Sequence, residues 1–116
     1  MFIDFNFNHI LSNLIVGSYP FLPEHFFTLK NFFEVSTILS LQSDDDLYIL
    51  GINEQTIWNF SIQAKISYFR IPVLEFNFKD FKKKLPDIIK NIIKILDTGE
   101  KLYLHCTAGI NRSPTV

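Results

Sequence analysis

The single cysteine of the chain, Cys106, is followed after five residues by Arg112 and then by Ser113, in the run His105-Cys106-Thr107-Ala108-Gly109-Ile110-Asn111-Arg112-Ser113. That spacing suits a loop built to hold a phosphate dianion around a nucleophile. Successive backbone N–H groups from Thr107 to Arg112 can turn inward and bind an anion without a metal. Arg112 closes the ring, because a planar guanidinium pairs two phosphate oxygens at once. In such a positive field Cys106 is expected to ionise well below the free value of about 8.5. A thiolate at neutral pH is a competent nucleophile toward phosphorus.

A loop of this kind needs a strand in front of it and a helix start behind it. Lys101 to His105, with the apolar run Leu102-Tyr103-Leu104, reads as the strand, and Ser113 with Pro114 reads as a helix cap and first turn. Further upstream, residues 1 to 13 alternate apolar and polar and are expected to lie extended along an edge. Leu14 to Gly17 forms the first core strand. Pro23 with Glu24 starts a helix that carries Phe26, Leu29 and Phe33 at helical spacing. Val35 to Leu41 is a β-branched strand running into Gln42-Ser43-Asp44-Asp45-Asp46, which reads as a solvated acidic turn because it lacks the alternating spacing of a calcium loop. Asn53 caps another helix, with Ile57, Phe60 and Ala64 on its inner face. Ser67 to Ile71 is a strand ended by Pro72.

The stretch Val73 to Asp80 reads as a loop carrying two acids, Glu75 and Asp80. A long amphipathic helix follows it, with Leu85, Ile88, Ile89, Ile92, Ile93 and Leu96 on one wide face. Pro86 marks either its start or a first-turn kink. Lys82, Lys83 and Lys84 stand just before that face as a solvated rim able to attract an anionic substrate. Gly99 ends the helix. Strands alternating with helices imply an α/β domain, with a mostly parallel central sheet flanked by helices and its site at the C-terminal ends of the strands.

Length and composition narrow the classes. At 116 residues the chain is read as a single domain, residues 1-116, and the helix that Ser113 and Pro114 open is not continued by the sequence, so it is read as C-terminally incomplete. A net charge of −1 without a basic block speaks against a nucleic-acid partner or an anionic membrane surface. There is no apolar run of the about 20 residues that a transmembrane helix needs. One Cys, cast as nucleophile, points to a reducing compartment, and the N-terminus resembles neither a secretory signal nor a transit peptide, so a cytoplasmic location is expected. The 13 Phe residues carry little functional weight individually.

With these residues in view, the run HCTAGINRS resembles the active-site loop of the cysteine-dependent phosphatases, in the form used by dual-specificity phosphatases. NLIVGSYP, TILSLQSDDDLYILGI, YFRIP followed by EFN, the Leu85-Pro86 helix and YLHCTAGINRS are similar to the glucan-phosphatase branch of plant starch-excess and laforin type. The chain departs from that branch at three points. Ile49 and Leu50 stand where the branch tends to carry aromatics, Asn111 stands where it often has Gly, and Glu75 aligns with its acidic Asp. Phe76 matches an aromatic on which sugar rings stack.

The resemblance implies hydrolysis of phosphate monoesters through a phosphocysteine, without metal or other cofactor. Cys106 attacks phosphorus, and Arg112 with the N–H groups of Thr107, Ala108, Gly109, Ile110 and Asn111 holds the equatorial oxygens. Glu75, with Asp80 as the alternative, protonates the leaving oxygen. Ser113 assists departure of the Cys106 sulfur, and His105 is a supporting, orienting group. A phosphorylated glucan is the first substrate expectation. A phosphoprotein or lipid phosphatase on the same loop and a non-catalytic phosphate- or glucan-binding module are the alternatives. The oligomeric state is left open.

Overall fold

The computed structural model describes residues 7–74 and 78–106. Five strands form one sheet in the order β1-β2-β5-β3-β4, where β1 is Phe7–Leu11, β2 Leu14–Gly17, β3 Thr37–Ser40, β4 Ser67–Arg70 and β5 Leu102–His105. Three of the four pairings are parallel and only the β1–β2 hairpin is antiparallel. The expected α/β domain with a mostly parallel sheet is therefore present. The last strand in the sequence is the central one. Leu102, Tyr103, Leu104 and His105 pair with Leu14 to Gly17 on one side and with Thr37 to Ser40 on the other. A strand buried on both faces reads as a continuous apolar run, and all four residues of β5 are buried.

The two faces of β5 feed separate cores. Tyr103 packs with Ile15, Ile38, Phe26, Leu29 and Ile57 under helices α1 (Pro23–Phe33) and α3 (Glu54–Ala64). Leu102, Leu104 and Cys106 pack with Val16, Leu39 and Ile88 under helix α4 (Phe78–Asp97). Alternation along a strand sends neighbouring side chains to opposite faces, which is why His105 and Cys106 look into different halves of the fold. The Tyr103 hydroxyl donates to the Ser18 carbonyl at 2.6 Å and so ties β5 to the segment after β2.

Helix α1 begins at Pro23 as expected, and Asn53 caps α3 by accepting the Gln55 N–H at 2.9 Å. Two sequence readings need correction. Gln42 to Asp46 is not a solvated turn: Asp44–Leu50 is a helix, α2. Ser43 caps it by accepting the Asp46 N–H, and Asp46 returns the bond by accepting the Ser43 N–H at 3.0 Å. The three aspartates occupy its first turn, where a negative charge faces the positive end of the helix dipole. Asp46 itself is buried.

The second correction concerns α4. It starts at Phe78, so Asp80 lies in its first turn rather than on the loop, and Pro86 lies inside the helix rather than at its start. Pro86 removes one backbone donor, a loss tolerated here on an exposed face. Among the described residues no helix is long and apolar enough to cross a membrane.

Candidate active site

Cys106 directly follows β5 at the C-terminal edge of the sheet and is fully buried. Its position is fixed by the ends of the neighbouring strands. Ser40 pairs with His105, and the Leu41 N–H donates to the His105 carbonyl at 2.7 Å. Each neighbouring parallel strand ends at this level, which leaves the crevice that open α/β sheets use for ligands.

His105 is buried at 2 % exposure on the face opposite Cys106. Its Nδ1 lies 3.3 Å from the Cys106 carbonyl. A carbonyl can only accept, so Nδ1 carries the proton and Nε2 does not. Nε2 has no hydrogen-bond partner among the described residues. Burial pushes the imidazole down to about 4, which keeps it neutral. A neutral ring in contact with the Cys106 carbonyl helps to fix the backbone at that residue.

Asp80 is placed differently from its loop expectation. Its Oδ2 accepts the Leu74 N–H at 2.8 Å and lies 3.3 Å from Lys84 Nζ. The Leu74 N–H, and after it the Lys84 ammonium, hold this carboxyl below its ordinary value. Lys84 also donates to the Pro72 carbonyl. Lys84 is thus engaged with the strand-to-helix segment rather than standing free in a basic rim, while Lys82 and Lys83 are exposed. The first turns of α4 therefore grip residues 72 to 74 on two sides. Glu75, Phe76, Thr107, Ala108, Gly109, Ile110, Asn111, Arg112 and Ser113 lie outside the described residues, as does the expected helix start at Pro114.

One organising residue escaped the sequence reading. Arg70, at the end of β4, donates from Nε to Glu54 at 2.6 Å, from Nη2 to Asp44 at 2.8 Å, and from Nη1 to the Gln42 carbonyl at 3.1 Å. It joins β4, α2, α3 and the segment leaving β3. The available signal was an Arg closing an otherwise uncharged strand two residues before Pro72. Tyr48, directly before Ile49 and Leu50, also escaped notice: it is 86 % exposed, and Ile49 is 78 % exposed. Helix α2 therefore shows an aromatic to solvent despite those two aliphatic residues. Among the described residues no group of three or more His, Cys, Asp or Glu is placed to hold a metal ion.

Comparison with known proteins agrees with this geometry. The family model described as dual specificity phosphatase, catalytic domain, matches residues 27–116. The amyloplastic phosphoglucan phosphatase DSP4 of Castanea sativa is 33% identical over 113 residues, which cover 96% of this chain and 30% of that protein. Laforin of Mus musculus is 25% identical over 118 residues, covering 93% of this chain and 36% of laforin. The chain thus spans about a third of the length of these curated relatives. Among solved structures, Tk-PTP in its active form superposes with a TM-score of 0.71 at 18% identity, covering 99% of this chain and 69% of that one. At that identity the likeness speaks to the fold alone.

Proposed function

The chain belongs to the dual-specificity phosphatase catalytic-domain family, and on that premise we propose that it hydrolyses phosphate monoesters through a phosphocysteine on Cys106. The observation that carries this reading is the seat of Cys106. It is buried directly after the central strand, on an edge set by Ser40, Leu41 and His105, and Arg112 follows it after five residues. In the first step the Cys106 thiolate attacks phosphorus in line, the P–O bond to the leaving group breaks, and Glu75 gives its proton to the departing oxygen. The loop from Thr107 to Asn111 and the Arg112 guanidinium neutralise the charge on the transferred group. In the second step water attacks phosphorus and Glu75 takes its proton. The S–P bond breaks with Ser113 assisting the sulfur, and inorganic phosphate leaves.

Glu75 is favoured over Asp80 because a general acid must carry a proton at the working pH. Asp80 is held as a carboxylate by the Leu74 N–H and Lys84. Its part in the reaction is to position the segment that leads into Glu75. A phosphorylated glucan is the substrate class, supported by the names of the phosphoglucan phosphatase relatives and by the sugar-compatible aromatic Phe76. A thiolate nucleophile requires a reducing compartment, which the cytoplasm offers. The test is release of inorganic phosphate from p-nitrophenyl phosphate and from phosphorylated amylopectin, by the chain and by Cys106→Ser. Turnover on both substrates that vanishes in Cys106→Ser is the expected result. Equal turnover by the two proteins overturns the mechanism.

A further inference from the structure

Two buried nitrogens at the end of the sheet that carries Cys106 have no hydrogen-bond partner among the described residues: Nε2 of His105, at 2 % exposure, and Nε2 of Gln42, at 3 %. Buried polar groups are nearly always bonded, so each of them calls for a partner. Their chemistry is complementary. The Nδ1 proton of His105 faces the Cys106 carbonyl, which leaves Nε2 as an acceptor, while the carboxamide nitrogen of Gln42 can only donate. Their placement agrees with this. Ser40 pairs with His105, and the Leu41 N–H extends the ladder to the His105 carbonyl. Gln42 lies two residues past Ser40, and alternation along an extended segment returns it to the side that Ser40 and His105 share. With strands about 4.8 Å apart and a rise of about 3.3 Å per residue, the two Cα atoms are about 8 Å apart. The Gln42 backbone is held on both sides, because its N–H donates to Ser40 Oγ at 3.2 Å and its carbonyl accepts from Arg70 Nη1 at 3.1 Å.

We infer that Gln42 is a positioning residue for the nucleophile: it donates to a single buried water, the water donates to Nε2 of His105, and the imidazole proton is thereby kept on Nδ1 against the Cys106 carbonyl. Side chains that start this far apart come within reach of one intervening water, and such a water satisfies a donor on one side and an acceptor on the other. An imidazole anchored at one nitrogen can exchange tautomers freely. Anchored at both, it loses a bond whenever the proton moves. The Arg70 bridge thereby gains a connection to the site. Glu54 and Asp44 hold the Arg70 guanidinium, Arg70 holds the Gln42 carbonyl, and Gln42 acts through His105 on the backbone at Cys106.

This inference rests on the phosphatase reading above only for its effect on rate, since the position of the proton is read without turnover. Long-range 1H–15N correlation spectra of histidine-labelled protein at pH 7 report both ring nitrogens, and the His105 signals are assigned by their loss in His105→Gln. Nδ1 is expected to be protonated and Nε2 to be an unprotonated, hydrogen-bonded nitrogen. Gln42→Met keeps the bulk and removes the donor. It is expected to mix the two tautomers and to lower kcat on p-nitrophenyl phosphate by about ten- to a hundredfold, with KM within about twofold. Gln42→Glu accepts where Gln42 donates, and it is expected to draw the proton to Nε2. A purely structural role would move the urea midpoint of these variants and leave the proton where it is. A protonated Nε2 in the unaltered protein overturns the inference, as does an unchanged proton position and Nε2 shift in either variant. Mixed tautomers with unchanged kcat overturn the positioning role. Failure of the unaltered protein to hydrolyse p-nitrophenyl phosphate, with its proton on Nδ1, overturns the catalytic reading instead.

Discussion

The Asp80 carboxylate accepts the Leu74 backbone N–H at 2.8 Å, so the first turn of α4 fixes the residue that immediately precedes Glu75. On the proposed mechanism Asp80 is therefore a positioning residue and Glu75 the general acid. Glu75→Gln is expected to lower kcat on an alkyl phosphate by about 10²–10⁴, the usual worth of a general acid. Asp80→Asn, which keeps an acceptor for the Leu74 N–H, is expected to lose no more than about tenfold and to keep the basic limb of the pH profile. Steady-state kinetics on a poor and a good leaving group check this, and a larger loss in Asp80→Asn reverses the assignment.

His105 makes stability depend on pH in a definite direction. Its folded-state value of about 4 lies below the ordinary 6.5, so between those values the unfolded chain binds the additional proton. Stability is therefore fully present above pH 6.5 and declines as the pH falls toward 4, with a slope approaching about 1.4 kcal/mol per pH unit from this one group. Burial lowers His25 as well, and it adds in the same sense. Urea unfolding at pH 7, 5.5 and 4.5 is expected to show the decline, and His105→Gln is expected to flatten part of it. An unchanged slope in that variant shows that His105 is not the source.

Arg70 is worth most through the partner that is least wet. Its side chain is 16% exposed, that of Glu54 36% and that of Asp44 87%. Exposed ion pairs contribute little, while removal of a mostly buried guanidinium with several bonds is costly. Urea midpoints are expected to place Arg70→Ala about 2 kcal/mol below the unaltered protein and Glu54→Ala about 1 kcal/mol below it, with Asp44→Ala within about 0.5 kcal/mol. An Asp44 effect equal to that of Glu54 contradicts this ordering.

Pro86 interrupts the backbone ladder of α4 on its wet side. Pro86→Ala restores a donor in mid-helix and is expected to raise stability by about 1–2 kcal/mol, after allowance for the freer unfolded chain. The check is a higher urea midpoint with an unchanged slope. A fall instead of a rise shows that the packing of α4 on the sheet requires the proline.

Much of the fold was legible because local signals agreed with the global arrangement. The apolar run of β5, the β-branched run around β3, Pro23 at the head of α1 and Asn53 at the head of α3 all point the same way at both levels. Helix α2 was hidden by its own surface. Only Asp46 and Leu47 of its seven residues are buried, so no apolar period marks it. Ser43 and Asp46 at capping-box spacing and Gly51 in a left-handed conformation after it were the overlooked signs. The start of α4 was missed for a related reason: Lys79, Lys82 and Lys83 crowd its first turns, and Pro86 drew the boundary too late. At the site, the spacing of Cys106 and Arg112 is what proposes Cys106 as the nucleophile, and the structure adds its buried seat after β5. The grip of Asp80 and Lys84 on residues 72 to 74, and the bridge made by Arg70 to partners as far as 28 residues away, depend on tertiary proximity that no local pattern encodes.

The sheet order has a consequence for how the protein comes into being. Without β5 the described residues hold two separate ribbons, the β1–β2 hairpin and the β3–β4 pair, with no strand pairing between them. The keystone that joins them ends at His105, the residue before Cys106, and it is made after both. Joining Leu14 to Leu102 closes a loop that holds β3, β4 and all four helices, a slow and cooperative event. Assembly of the sheet and seating of Cys106 are consequently one step, and a nascent chain gains Cys106 in place only at the moment its two halves become a single body.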